Sequence, residues 1–418
     1  MGEAALARCG ALRDDARVET VDLYDPDTYV GGTPYAEFAR LRREDPVHWQ
    51  HEPEGPGYWA VLRHEDVLRV SRDTATFSSE RGSVVIEDLP PEQLEMMRAM
   101  LLVMDPPRHA SYRRMVLHAF TPRMVERLEP RIRDVSRDIM ESVAGAGEVE
   151  FVHGMARHLP LQVIGDLMGV PEADREQLHS WAEMNSGSQD PDVNPAAAEQ
   201  ASAGTTAMAL YAIELARERK GSRSSDLTSV IVNAEVDGHV MSEGEFGAFF
   251  VQMVTAGNDT TRTMLGNGLL ALLLHPAELA LLRDETKRIP MALEEMLRWE
   301  SPLHYFRRTA TGPARLGGRD IAEGDKVVMM YTSANRDERV FRDPDRFDVQ
   351  RDPNPHLAFG FGEHFCLGAK LARLEGRVFF EELLSHFGKL ELAGDPVRQR
   401  SNLNNSLKTL PLRLAAGA

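Results

Sequence analysis

Apolar residues recur along most of this 418-residue chain at intervals of three and four, the repeat of helices that turn one face inward. The longest such segment, Ser242 to His275, reads SEGEFGAFFVQMVTAGNDTTRTMLGNGLLALLLH; Ser242 with Glu245 forms a capping box at its start, and Pro276 marks its end. At about 1.5 Å per residue it would extend roughly 50 Å, enough to cross a globular domain. A second long helix starts near Cys366, where Leu367, Leu371, Leu374 and Val378 follow the helical period. Upstream, SYRRMVLHAFTPRMVERLEPRIRDVSRDIMESV carries two or three amphipathic segments broken by Pro122 and Pro130. PLQVIGDLMGVP predicts a helix closed by Gly169 and Pro171, and PMALEEMLRWESP another.

Alternation with period two is confined to short pieces. PVHWQHEPEGPGYWAVLR, from Pro46 to Arg63, predicts a hairpin around a Pro/Gly turn, with a helix beginning at HEDVLRVSRD. GEVEFV predicts one short strand, and FRRTATGPARLGGRDIAEGDKVVMMYTSANRD several more. The stretch SGSQDPDVNPAAAEQASAGT is small, polar and proline-containing, which predicts a loop between helices. The fold expected is mainly α with small β-sheets: one domain over residues 25–418, behind a loosely ordered lead at 1–24.

Composition narrows the function. Apolar residues make up 42% and charged residues 27%, enough for a substantial core. The start of the chain is too polar for a signal peptide or membrane anchor, and the most apolar run, GLLALLLHP, is too short to span a bilayer. A net charge of −17 argues against a nucleic-acid partner. Only six of the 48 basic residues are lysines, so cationic contacts fall mostly to arginine forks. The two cysteines, Cys9 and Cys366, give no disulfide framework, no CxxC zinc pair and no CxxCH haem-attachment motif, which fits a cytoplasmic protein.

Cys366 lies in HLAFGFGEHFCLGAKLARLE, between glycines and at the start of a helix, where free N–H groups and the dipole stabilise a thiolate. Alone it reads as a buried structural cysteine or as a nucleophile with a histidine partner. The full spacing is F-x-x-G-x-H-x-C-x-G, from Phe359 through Gly362, His364 and Cys366 to Gly368. That pattern resembles the haem-ligand loop of the cytochrome P-450 family, in which the cysteine thiolate binds iron. The resemblance runs from about Asp25 to the C-terminus and is weak at 80–102 and 181–219; Pro313 stands where bacterial members often carry an acid.

Other positions match the family's marks. Glu295 and Arg298 share a helix face as i and i+3, an ordinary surface pair when taken alone. The resemblance makes them a buried architectural pair locked by a third residue, at the position of Arg346. AGNDTT, midway along the long helix, is a polar island among apolar neighbours. The resemblance puts Ala256 and Gly257 over the haem and makes Asp259 and Thr260 an acid–alcohol pair that relays protons to dioxygen. His109, Arg113, Arg308 and His364 occupy the positions that compensate the haem propionates.

The resemblance therefore implies haem b ligated by Cys366, and a monooxygenase that hydroxylates a mainly apolar small molecule of steroid, terpenoid, lipid or natural-product type. Electrons would come from a separate ferredoxin and its NAD(P)H-dependent reductase, and the protein would be a soluble monomer with no membrane attachment. Met253, Leu303, Tyr305 and Phe306 fall where the family lines its substrate pocket. The rival readings are a peroxide-driven haem-thiolate peroxygenase, which would be expected to lack the acid–alcohol pair, and a non-catalytic haem sensor.

Overall fold

The longest helix spans Glu243–Leu274, capped by Ser242, whose hydroxyl accepts from Glu245 N–H while the Glu245 carboxylate accepts from Ser242 N–H. This computed structural model describes residues 21–186, 197–235 and 238–416. Phe246, Phe250, Val254, Leu265 and Leu269 are all buried, on several sides of the helix, so it runs through the core rather than over it. Helices His158–Met168, Ile289–Trp299, Ala369–His386 and Ala197–Arg219 pack around it. No single described helix is long and apolar enough to cross a membrane; the central helix passes only jointly with Pro276–Asp284, across a 105° bend.

A five-stranded sheet lies at one side, in the order Val47–Gln50, Tyr58–Val61, Lys326–Met330, Tyr305–Ala310, Phe77–Ser78. Its first two strands are the expected hairpin, and the Tyr58–Val61 and Lys326–Met330 pair is parallel. Glu148–Glu150, Pro411–Ala416 and Phe387–Leu392 make a smaller sheet, so the strand expected in GEVEFV pairs with the chain's last described strand.

Three expectations change. The predicted loop at 186–205 is helical from Ala197 in its described part, because AAEQASAG is rich in the strongest helix former; residues 187–196 lie outside the described residues. Pro122 and Pro130 stand in the first turns of helices Pro122–Arg127 and Glu129–Ser142, where a missing N–H costs nothing, so they open helices as well as separate them. The expected lead is shorter than 1–24: Leu23 is buried in the cluster containing Phe38 and Tyr58, and its N–H donates to Gln50 Oε1 at 3.2 Å. Residues 1–20 lie outside the described residues.

Glu295 and Arg298 are both 0% exposed and pair in two places, Nε to Oε2 at 2.7 Å and Nη2 to Oε1 at 2.8 Å. All five guanidinium donors are used: Nη1 donates to the carbonyls of Asn335 and Pro344, and Nη2 also to that of Arg346. The third guanidinium on Glu295 is that of Arg351, whose Nε reaches Oε2 at 3.0 Å. This corrects the expectation for Arg346: its side chain is exposed, and it serves the network through its carbonyl, which accepts from Arg298 and Arg351. An alanine scan of denaturant unfolding should separate the three arginines. Arg298→Ala, which strands a buried carboxylate, should cost about 3–5 kcal/mol. Arg351→Ala should cost about 1.5–3 kcal/mol, and Arg346→Ala should stay within about 0.5 kcal/mol. A large loss for Arg346→Ala would contradict this assignment.

Candidate active site

Met253, Ala256, Gly257, Thr260 and Met264 share one face of the central helix, at spacings of three, one, three and four, and line a single large cavity. Its empty space is about 1510 Å³, counting the open mouth. Ala256 and Gly257 carry little or no side chain there. The Thr260 hydroxyl donates back to the Ala256 carbonyl at 2.6 Å, so its oxygen keeps a lone pair for a guest.

Asp259 is not on that face. One helical step from Thr260, it turns to Arg262, whose Nη2 lies 3.2 Å from Oδ1, and Asn258 Nδ2 donates to the same oxygen. Thr261 does line the cavity and donates to Glu375 Oε2 at 3.4 Å, tying the central helix to the helix that follows the cysteine.

Strand alternation sorts the next group. In Tyr305–Ala310, Phe306 and Arg308 turn to the cavity. Tyr305 and Arg307 turn away: Tyr305 is buried in the cluster with Phe38 and Tyr58, and Arg307 reaches Asp88 and the Ile86 carbonyl. Tyr305 is therefore removed from the expected substrate contacts, whereas Met253, Leu303 and Phe306 line the cavity.

Cys366 opens into the same cavity from the loop before helix Ala369–His386. Its surface is exposed, yet the residue is deep, because what it faces is the cavity. Burial pushes the thiol up; N–H groups of Gly368 and Ala369 and the Arg113 and Arg373 guanidiniums pull the other way. The Cys366 N–H donates to the Phe359 carbonyl at 2.9 Å, and Arg373 lies over the Phe359 ring while forking onto Glu294. Gly368 lines the cavity and a Cβ there would meet nothing. Gly362 holds the loop in place and does not line the cavity. It has φ +73°, and a Cβ would come within 2.7 Å of the Ser71 carbonyl, so it seats the loop on helix His64–Arg72 and Gly360 lines the cavity instead.

The four expected cationic residues converge. His109 and Arg113 come from helix Arg108–Ala119, and the rings of His109 and His364 lie 4.2 Å apart. Burial, then the Arg113 and Arg308 charges, holds His109 down to about 4; burial, then Arg308, His109 and Arg113, holds His364 down to about 2. His109 Nε2 and Arg308 Nε are buried with no hydrogen-bond partner among the described residues. Glu375 is the one acid in the described lining, and burial raises its carboxyl to about 8, so it is neutral near pH 7. A cavity wall with two guanidiniums, two imidazoles and orphaned nitrogens requires an anion. A porphyrin with two carboxylates, its iron on a cysteine sulfur, meets that requirement.

Sequence reasoning missed Glu375, although a signal was present: it stands four residues after Leu371 and four before Phe379, an acid on an apolar helix face. Tyr331 was missed too, since nothing in its strand-end position marks it as lining the cavity.

Comparison with known proteins agrees with this geometry. A family model described as Cytochrome P450 matches residues 198–414. A protein named steroid C26-monooxygenase from Rhodococcus jostii (strain RHA1) is 38% identical over 402 residues, covering 93% of this chain and 84% of the relative. One named methyl-branched lipid omega-hydroxylase, from Mycobacterium bovis, is 41% identical over 392 residues, covering 90% of each. The structure of Mycobacterium marinum cytochrome P450 CYP268A2 in complex with pseudoionone superposes with a TM-score of 0.87 at 38% identity, over 97% of this chain and 100% of that one. The fold, the cysteine loop and the relatives agree: this chain belongs to the cytochrome P450 family and is a haem-thiolate monooxygenase.

Proposed function

We propose that this protein hydroxylates an unactivated C–H bond in a mainly apolar molecule of steroid, terpenoid or lipid type, free or as a natural-product intermediate, with electrons delivered by a small acidic ferredoxin. The observation that carries the reading is that Cys366 and the Thr260 turn open on one cavity whose other walls are largely Leu, Ile, Met and Phe. The relatives' names point the same way: one acts on a steroid, one on a methyl-branched lipid, and one structure holds pseudoionone.

Cys366 would ligate the iron, while His109, Arg113, Arg308 and His364 would hold the propionates. When bound, haem b supplies the iron at which dioxygen is activated, and the thiolate favours O–O cleavage. The chain's own residues manage protons and water. Thr260, with its hydrogen held by the Ala256 carbonyl, accepts a hydrogen bond from a guest and passes a proton on when its hydroxyl rotates. Asp259, only 21% exposed at its side chain and held by Arg262, connects that turn to the protein's flank. Glu375 keeps its proton at the cavity wall and needs no counter-ion there. Ile164, Met253 and Phe306 exclude water from the substrate's side.

An electron donor would dock beside the cysteine loop. Arg69, Arg72 and Lys370 are exposed there, Arg72 stacks on Phe361, and Phe365 is 38% exposed. This basic, partly aromatic patch on a protein of net charge −17 suits an acidic partner. An NAD(P)H-dependent reductase would supply the ferredoxin. A monomer in the cytoplasm completes the reading.

Three measurements test it. Cys366→Ala should abolish the red-shifted Soret band of the reduced carbon monoxide complex, and a variant that retained it would sink the ligand assignment. Thr260→Ala should lower product per NADPH several-fold and release peroxide; unchanged coupling would remove Thr260 from proton transfer. For Glu375, a folded value raised to about 8 means the folded state keeps a proton that the unfolded chain releases near its usual 4.5. Stability is then greatest below about 4.5, falls as pH rises towards 8 and levels off above it, by on the order of 1 kcal/mol per pH unit. Unfolding midpoints of Glu375→Gln should lose this slope; parallel profiles for variant and wild type would refute the buried-acid assignment.

A further inference from the structure

One polar side chain in the substrate half of the cavity has no part in the chemistry above. Gln252, on the central helix, lines the cavity among Phe249, Met253 and Ile164, and its Oε1 is buried with no hydrogen-bond partner. No hydrogen bond to its carboxamide nitrogen is found among the described residues either. Gln252 itself is half-buried, but a buried acceptor oxygen left unpaired is costly. Gln252 shares the cavity face with Ala256 at i+4 and Thr260 at i+8, about 6 and about 12 Å further along the axis.

We infer that Gln252 is the specificity-determining contact of this cavity, and that it selects substrates bearing one oxygen function, a hydroxyl or carbonyl, at the end remote from the oxidised C–H bond. The inference rests on the apolar-substrate reading above and narrows it. The amide has a donor end and an acceptor end, exchanged by rotation about its last bond, so a hydroxyl can pair with either and a carbonyl with the NH₂. Phe249, Met253 and Ile164 around it offer a misplaced oxygen no partner. A site that pairs a polar group rejects an analogue lacking it far better than an apolar site rejects an added methylene. Two helical turns separate the anchor from the Thr260 turn, so the oxidised carbon stands on the order of eight to ten bonds from the anchored oxygen. A purely hydrocarbon substrate, or one with its only oxygen beside the reacting carbon, leaves Gln252 unpaired.

The test uses the haem-loaded protein and two ligands of one skeleton, citronellol and its hydrocarbon 2,6-dimethyl-2-octene. Each is titrated by its absorbance shift and by calorimetry against wild type and Gln252→Met. The alcohol-to-hydrocarbon ratio of dissociation constants, compared between the proteins, cancels transfer from water; it should move about tenfold toward the hydrocarbon in the variant. A ratio unchanged within about twofold overturns the inference. Wild type alone gives a second readout that does not depend on the variant folding. The carbonyl stretch of bound citronellal should lie below its frequency in hydrocarbon solvent, and an unshifted band overturns the inference. If the hydrocarbon binds and the alcohol does not, the anchor is wrong while the apolar cavity stands. If neither binds wild type, the apolar-substrate reading fails and takes the anchor with it.

Discussion

The position of the cysteine depends on one fully buried carboxylate, that of Glu295. Glu295 accepts from Arg298, Arg351, Asn354 and the Asp348 N–H, so both oxygens are saturated and the segment from 335 to 354 is fastened to helix Ile289–Trp299. From that anchor the chain has little freedom: Asn335 Oδ1 accepts from Leu357 N–H at 2.6 Å, and Glu294 holds His356 on one side and Arg373 on the other. A buried ion pair is weak evidence for net stability, because desolvation offsets much of the attraction. What a saturated one does well is fix geometry, since any shift leaves a charge unpaired in a low-dielectric interior. The cysteine loop begins where this network ends, and Gly362 lets it close onto the Ser71 carbonyl.

How much of this the sequence discloses depends on whether position or direction is at issue. The helical periods and the capping box depend on local pattern and were legible; the roles of the cysteine spacing and the cationic set were legible only through the family resemblance. Direction was harder. Asp259 and Thr260 are adjacent in AGNDTT, but one helical step sends the first to Arg262 and the second to the cavity. Tyr305 and Phe306 part in the same way on a strand, because successive side chains point to opposite faces. Arg346 and Arg351 are both near the buried pair in sequence, and only tertiary packing decides which guanidinium reaches Glu295. The Ala-rich start of Ala197–Arg219 lost to its polar, proline-containing context when read as a loop.

Charge is distributed in opposite senses inside and out. The chain as a whole is acidic, yet the described cavity wall holds two arginines and two histidines against one acid, and burial keeps that acid neutral. Both histidines are driven toward neutrality by the same neighbours that crowd them. A dianionic ring edge would reverse that, giving each imidazole a reason to hold its proton.

The two ends of the cavity are built to different tolerances, and this explains why the reaction is easier to read than the substrate. The chain that carries Cys366 is held by partners that are themselves held: Leu357 N–H by Asn335, His356 and Arg373 by Glu294, and Cys366 N–H by the Phe359 carbonyl. Helix Pro91–Met97, by contrast, has no buried residue, and Met96 is 67% exposed. The chain leading to it is tied down by Asp88, which meets Arg307 and Lys326, and by Val84 and Ile86, whose carbonyls accept from Arg307. A segment with few buried contacts opens at lower free-energy cost than the packed core. That looseness removes the dense, patterned packing from which a sequence can be read, and Gln252 is left as the polar landmark among the apolar lining of the cavity.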